Sequence, residues 1–223
     1  MPYSSIYQSP WHNPGLLLLG NVLFVLNLVF RKGGDAFLRK LLFAYAFLAM
    51  ADCIITGGLS PLSASMLSIV PFPFIILGDT RFFFLVERYS RPFSSQRTIS
   101  RVFGKTFLVS LIVPATSYFA QQGFFPKADV RWMFLLYESL FIVVASVFAW
   151  RVLPPSDASK EQKRWLRGIV LFELVFYALW ATADVVILSG HDWGHLLRIV
   201  PNVLYYVGFV WFVALTAPKE LRP

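Results

Sequence analysis

The amino-acid sequence predicts an all-α membrane protein, a polytopic bundle of seven transmembrane helices. Three observations carry this prediction: the composition, the length of the apolar segments and the distribution of basic residues. Of the 223 residues, 57% are hydrophobic and only 14% are charged, and the mean hydropathy is +0.62. This apolar share exceeds that of ordinary soluble domains. The lipid bilayer is therefore the expected main partner, and the net charge of +8 does not require a nucleic-acid partner.

Seven apolar segments are long enough to cross a bilayer, for which about 20 helical residues suffice. Tyr7 and Trp11 can extend the first of them outward, because aromatic side chains favour the membrane interface. The connecting segments are short, so residues 1–223 are predicted to form a single membrane domain. The spans are predicted at about 15–30, 38–58, 67–88, 105–121, 132–152, 168–188 and 196–217.

Basic residues are concentrated on alternate connecting segments. Sixteen lie on one side of the predicted bundle, and only Lys127, Arg131 and Arg198 lie on the other. The positive-inside rule then predicts an N-terminus outside, a C-terminus in the cytoplasm and an integral protein of the cytoplasmic (plasma) membrane. The sixteen are Arg31, Lys32, Arg39, Lys40, Arg88, Arg91, Arg97, Arg101, Lys105, Arg151, Lys160, Lys163, Arg164, Arg167, Lys219 and Arg222.

Acidic residues inside the predicted spans are the strongest functional signal. A charged side chain at the centre of a membrane helix costs about 2.5 to 3.5 kcal/mol, so such groups face protein or water. Arg81 is the only basic residue expected at this depth, which leaves a formal interior charge of −4. Some of the acids must therefore be protonated, hydrated or bound to a cation. The five acids are Asp52, Asp79, Glu138, Glu173 and Asp184.

Helical spacing places many of these polar residues on shared faces. With helices of alternating direction, Asp52, Glu138, Asp184 and Asn202 are expected in the outer half of the membrane, Asp79 near its centre and Glu173 deeper. This arrangement predicts a polar pocket open to the outer side. The shared faces are Tyr45, Asp52 and Thr56 in the second span, Glu138 and Ser146 in the fifth, Glu173, Tyr177, Trp180 and Asp184 in the sixth, and Asn202 with Tyr205 or Tyr206 in the seventh.

We interpret this pocket as a site for a small polar or cationic solute, or for protons, in transport or sensing. Asp79 would be the central coupling acid, Arg81 its electrostatic tuner or an anion clamp, and Glu173 an inward relay. Asp52, Glu138 and Asp184 would be the outer ligands. Sensing would require a cytoplasmic partner protein, because few residues follow the last span.

Two alternatives remain open for the same residues. The buried polar groups can serve only as interhelical hydrogen bonds that fix helix packing. The chain can also be a structural subunit of a larger membrane complex, in which its 23 phenylalanines would supply contacts to a membrane partner.

Three short segments resemble a known family. Leu77-Gly78-Asp79 in the third span, Asp184 in the sixth and Tyr205-Tyr206 in the seventh are similar to the Gly-Asp, Ser-Asp and Tyr-Tyr signatures of lysoplasmalogenase-like membrane proteins. The resemblance implies an intramembrane lipid hydrolase. In that case Asp79 and Asp184 would be the catalytic acids that cleave the vinyl ether of a lysophospholipid by general acid catalysis.

Cofactor chemistry receives little support from the sequence. His12, His191 and His195 are all expected near the outer face, either as interfacial side chains or as metal ligands. His191 and His195 are four residues apart and could share a metal ion on a helix. Retinal is excluded because the seventh predicted span has no lysine for a Schiff base, and no cofactor is expected.

Overall fold

The computed structural model describes residues 2–31, 33–67, 70–90, 99–124, 126–154 and 157–223. In this part of the chain every regular element is a helix, so the predicted all-α class is confirmed. Three basic residues that contributed to the predicted charge asymmetry, Lys32, Arg91 and Arg97, lie outside the described residues.

The helices follow one another with short connections. Their bounds are α1 Tyr3–Tyr7, a π-helical turn Trp11–Leu16, α2 Leu17–Phe30, α3 Ala36–Thr56, α4 Ala64–Leu67, α5 Pro71–Tyr89, α6 Ile99–Phe124, α7 Val130–Val152, α8 Lys160–Leu188, α9 Gly194–Val203, a π-helical segment Leu204–Gly208 and α10 Phe209–Thr216. Each predicted span corresponds to one of the long helices, and the seventh corresponds to the continuous run from α9 to α10.

Six helical runs among the described residues are long and apolar enough to cross a membrane, which supports a membrane-embedded bundle. Helix α3 is not one of the six, although it has 21 residues. It carries Arg39 and Lys40 in its first turns and Asp52 in its last, and these charges lower its apolar character. The seven-span count and the orientation of the termini stay predictions. The six runs are Tyr3–Phe30, Ser65–Tyr89, Ile99–Phe124, Val130–Val152, Lys160–Leu188 and Gly194–Thr216.

Several long helices begin at a residue that caps them. The side chains of Asp35, Asp129 and Ser159 accept hydrogen bonds from the backbone N–H groups of Leu38, Arg131 and Gln162. Such N-terminal caps satisfy N–H groups that have no partner within the helix. Helix α5 instead begins with proline, which is tolerated there because its missing N–H would be unpaired in any case.

Helix α5 is enclosed by its neighbours α3, α6, α7 and α8. Every residue from Gly78 to Glu87 is buried, on all sides of the helix. The rings of Phe83 and Phe148 pack edge to face with centres 4.9 Å apart, which joins α5 to α7. By contrast, α6 exposes large apolar side chains such as Phe119, as expected of a helix that faces lipid.

The two ends of the bundle are fixed by contacts between its connections. At one end the backbone N–H of Gly58 donates to the carbonyl oxygen of Asn13 at 2.8 Å. At the other end Nε2 of Gln162 donates to the carbonyl oxygen of Tyr89 at 2.9 Å. We call these the Asn13 end and the Tyr89 end.

Gly78 permits a close approach between α5 and the π-helical segment Leu204–Gly208. A Cβ atom at Gly78 would lie 1.6 Å from the hydroxyl oxygen of Tyr205, whereas one at Gly104 would have no neighbour within 4 Å.

We expect Gly78→Ala to lower the free energy of unfolding by about 1 to 3 kcal/mol, because overpacking displaces Tyr205. Gly104→Ala is the control and should cause no loss, since alanine favours the helix. Thermal unfolding in detergent measures the stability of both variants. Equal melting temperatures of Gly78→Ala and Gly104→Ala would contradict the prediction.

Candidate functional site

Asp79 is completely buried on α5 and is held by two tyrosines. Its carboxylate oxygens accept hydrogen bonds from the hydroxyl groups of Tyr137 on α7 and Tyr177 on α8, each at 2.6 Å. The two hydroxyl oxygens are 2.9 Å apart. One carboxylate therefore joins three helices near the middle of the bundle.

Arg81 lies two residues further along α5, which turns its side chain about 200° away from that of Asp79. Its Nη2 donates to the carbonyl oxygen of Tyr205 at 2.5 Å. The guanidinium also lies 4.1 Å from the ring centre of Tyr205 and 4.5 Å from that of Phe209. Stacking on aromatic faces stabilises a cation, so Asp79 and Arg81 are held by different partners.

The π-helical segment Leu204–Gly208 supplies backbone acceptors to side chains of other helices. Besides the bond from Arg81 to Tyr205, Nδ2 of Asn21 donates to the carbonyl oxygen of Tyr206 at 3.1 Å. A π-helical turn disturbs the regular ladder of helical hydrogen bonds, and such turns are frequent at functional sites. Here the disturbed segment is where α2 and α5 are attached to the last helical run.

A cavity of about 160 Å³ lies beside Asp79, toward the Asn13 end of the bundle. Its wall includes the two tyrosines that hold Asp79, and Glu138 is its acidic residue. Most of the other lining side chains are aromatic. We call it the Glu138 cavity; it is lined by Tyr7, Asn13, Ile75, Phe134, Tyr137, Glu138, Tyr177, Trp180, Arg198, Asn202, Tyr205 and Tyr206.

Two acids and two arginines form a charged network at this cavity. The fully buried Asp184 accepts from Arg131 at 3.0 Å and also contacts Arg198. Arg198 lies 3.7 Å from Oε1 of Glu138, and Oε2 of Glu138 is buried without a hydrogen-bond partner among the described residues. The sequence-based expectation that Arg81 is the only deep cation was wrong, because the long side chain of Arg198 turns into the bundle and pairs with Asp184.

Polar side chains continue this network around the wall. Nε1 of Trp180 donates to Oδ1 of Asn202 at 2.7 Å, and Nδ2 of Asn202 donates to the hydroxyl oxygen of Tyr7 at 3.3 Å. The hydroxyl of Tyr206 donates to Oδ2 of Asp52 at 2.9 Å. Asp52 is thus connected to the cavity through Tyr206 and does not line it.

Glu173 stands apart from these networks. It is completely buried on α8, four residues before Tyr177 and therefore one turn closer to the Tyr89 end. Neither of its carboxyl oxygens has a hydrogen-bond partner within the part of the chain that the structure describes. Tyr177, one turn further along α8, lines the Glu138 cavity and binds Asp79.

The structure brings most of the predicted site residues to one place. Five of them, Glu138, Tyr177, Trp180, Asn202 and Tyr205, line the cavity. The side chains of Asp52, Asp79, Arg81 and Asp184 each form a hydrogen bond with a lining residue, whereas the carboxyl group of Glu173 has no such bond within the described residues.

One predicted shared face is wrong. Ser146 is exposed, although it was placed with Glu138 on the inner face of the fifth span. Eight residues turn an α-helix about 80° past two full turns, so the two side chains point in different directions.

Tyr137, Arg198 and Tyr7 are site residues that the sequence analysis did not single out. A signal existed for Arg198, because it lies four residues before Asn202 and so shares its helix face. Tyr137 directly precedes Glu138, and its hydroxyl group in the middle of an apolar span was a second signal. Nothing local marked Tyr7, which reaches the cavity from the short helix α1.

The three histidines differ in their surroundings. His12 is 1% exposed and its Nδ1 lies 2.8 Å from the carbonyl oxygen of Tyr7, so its ring is buried within the protein. His195 packs against the same tyrosine ring, while His191 is exposed. Among the described residues no group of three or more His, Cys, Asp or Glu side chains could hold a metal ion.

Asp79 and Asp184 lie at different levels of the bundle. Tyr177 binds Asp79, and Asp184 lies seven residues further along α8, which is about 10 Å along the helix axis. Comparison of the chain with protein-family models, curated proteins and solved structures finds no match. The resemblance to lysoplasmalogenase-like proteins therefore rests on the three short segments alone.

The hydroxyl groups around Asp79 should contribute measurably to stability. We expect Tyr137→Phe and Tyr177→Phe each to lower the free energy of unfolding by about 1 to 3 kcal/mol, because each removes a hydrogen bond to a buried carboxyl group. Tyr118→Phe is the control, since it removes the same atom from an exposed tyrosine on α6. Thermal unfolding of the purified variants in detergent is the measurement. A loss in Tyr118→Phe as large as in the other two would refute the assignment.

Proposed function

We propose that the protein binds a small organic cation in the Glu138 cavity, for transport across the membrane or for sensing. The observation that carries this proposal is the lining itself, in which aromatic rings surround a buried acid. Aromatic faces attract organic cations by the cation–π interaction. Glu138 adds a carboxyl oxygen that has no hydrogen-bond partner and can accept from the bound cation.

The charges around the cavity favour a cation over an anion. Six acids are buried in the described part of the bundle, and Glu87 pairs with Lys105 at the Tyr89 end. The cations placed among the other five are Arg81, Arg131 and Arg198. Arg131 and Arg198 are already engaged with Asp184. Formal charges therefore leave an excess of two negative charges, which a bound cation or protons can offset.

The other predicted acids receive roles from their positions. Asp79, behind Tyr137 and Tyr177, is the coupling acid, and Arg81 tunes its electrostatic environment. Glu173, which lies deeper on α8, is the inward relay. Only transport requires the roles of coupling acid and inward relay, because only transport needs a path from the cavity to the other side of the membrane.

The proposal includes a seven-span topology with the N-terminus outside. Helix α3 can cross the membrane because Arg39 and Lys40 lie near its start, where long basic side chains reach the membrane surface. Its third charge, Asp52, is bonded to Thr56 and Tyr206 inside the bundle. The Glu138 cavity then opens to the outer side, and basic residues concentrate at the cytoplasmic side.

Cysteine labelling tests this topology. In a Cys53→Ala background we expect a membrane-impermeant maleimide to label Ser5→Cys and Lys127→Cys in intact cells, but not Lys160→Cys. All three positions are exposed in the structure, so accessibility depends on the side of the membrane alone. If α3 did not cross, Ser5 and Lys127 would lie on opposite sides, and only one of them would be labelled. Labelling of Lys160→Cys alone would show the opposite orientation, with the N-terminus in the cytoplasm.

Binding of simple cations tests the function. We expect purified protein in nanodiscs to bind small alkylammonium ions in calorimetric titrations and to reject neutral alcohols of the same size. Glu138→Gln should weaken binding at least tenfold, since removing one partner of a buried charge pair costs about 2 to 5 kcal/mol. Glu161→Gln, an exposed position in the first turn of α8, is the matched control. Equal affinity of the Glu138→Gln variant and the wild type would reject the proposal.

Flux through liposomes separates the two modes of action. If the protein is a transporter, Asp79→Asn should abolish uptake of the cation while binding persists, because Asp79 does not line the cavity. Unchanged flux in this variant would show that Asp79 is not the coupling acid. Binding of the cation without flux in the wild type would reject transport, and sensing would be the remaining mode of action.

A further inference from the structure

A second cavity adjoins the first at the Asn13 end of the bundle. It has a volume of about 280 Å³ and is lined in part by His12, Thr56 and Gly57. It shares Tyr7, Asn13 and Asn202 with the Glu138 cavity. We call it the His12 cavity, and the three shared residues form the boundary between the two.

His12 presents a hydrogen-bond acceptor that has no partner. Its Nδ1 lies 2.8 Å from the carbonyl oxygen of Tyr7, which can only accept, so Nδ1 carries the proton. In the neutral ring Nε2 is then an acceptor, and it is buried without a hydrogen-bond partner in the part of the chain that the structure describes. A buried acceptor that lacks a partner is costly, and a ligand that donates to it removes this cost.

The other unpaired atoms of both cavities are hydrogen-bond acceptors as well. Among all the residues that line them, the buried side-chain atoms without a partner are His12 Nε2, Asn13 Oδ1 and Glu138 Oε2. Each of the three is an acceptor. Asn13 Oδ1 also lies 2.7 Å from the position that a Cβ atom on Gly57 would occupy, which places it at the wall of the His12 cavity.

We propose that the two cavities together bind one linear diamine. One ammonium group lies at Glu138 among the aromatic rings, and the second donates to His12 and Asn13. An ammonium group has three N–H donors and no acceptor, which matches a set of unpaired acceptors. The proposal rests on the proposed function, because it places the first ammonium group in the Glu138 cavity.

Binding through both ends should be much tighter than binding through one. Once the first ammonium group is bound, the second is held close to its own acceptors at a high effective concentration. The boundary of Tyr7, Asn13 and Asn202 sets the chain length that allows both ends to bind. Affinity should therefore rise and then fall as the alkyl chain of the diamine is lengthened.

Titration calorimetry in nanodiscs tests the inference with two series of ligands, linear diamines and alkyl monoamines of equal chain length. We expect the best diamine to bind wild-type protein about tenfold or more tightly than the matching monoamine. His12→Phe removes an unpaired acceptor that lines the His12 cavity and not the Glu138 cavity. It should reduce diamine affinity toward that of the monoamine and leave monoamine affinity unchanged. His191→Phe makes the same replacement at an exposed position outside both cavities and should change neither.

The outcomes separate this inference from the proposed function. Monoamine binding that depends on Glu138, without any preference for diamines, overturns the inference and leaves the proposed function intact. Absence of binding by every amine rejects both. An equal loss of monoamine and diamine affinity in His12→Phe would show a general structural effect and would also overturn the inference.

Discussion

The burial of Asp79 and Arg81 in one enclosed helix is the constraint on which the rest of the bundle depends. Removing a charge from water is costly unless polar groups replace its hydration. Because the two side chains point to different sides of α5, each needs its own partners from other helices. Tyr137 and Tyr177 serve Asp79, while the backbone of Tyr205 serves Arg81. The polar requirement of one helix thereby fixes how α7, α8 and the last helical run are placed around it.

Backbone irregularity and a missing side chain make this placement possible. Tyr205 can present its carbonyl oxygen to Arg81 and its ring to the same guanidinium because it lies in a π-helical segment. Its hydroxyl oxygen comes so close to α5 that only glycine fits at position 78. The dipeptide Gly78-Asp79 thus combines a packing requirement with a charge requirement.

The sequence predicted the helices better than it predicted the site. A long apolar segment must form a helix in lipid, where every backbone group needs an internal partner, so each predicted span overlaps a helix. Helices α6 and α8 begin six and eight residues before the corresponding predicted spans. The period of α8 also placed Glu173, Tyr177, Trp180 and Asp184 on one buried face. Contacts between helices have no such period. Whether Arg198 faces solvent or Asp184 depends on how α7, α8 and α9 pack, and one helix considered alone does not contain that information.

The wall between the Glu138 cavity and Glu173 determines what transport would require. A solute at Glu138 meets the hydroxyl groups of Tyr137 and Tyr177, both bonded to Asp79, and passage would break both bonds. A proton needs much less. If Asp79 gains a proton, the protonated oxygen donates to one tyrosine hydroxyl, and that tyrosine can donate its own proton to the other hydroxyl 2.9 Å away. The hydrogen bonds of the wall then change direction without breaking, so a proton can pass from the cavity wall to Asp79 where a solute cannot.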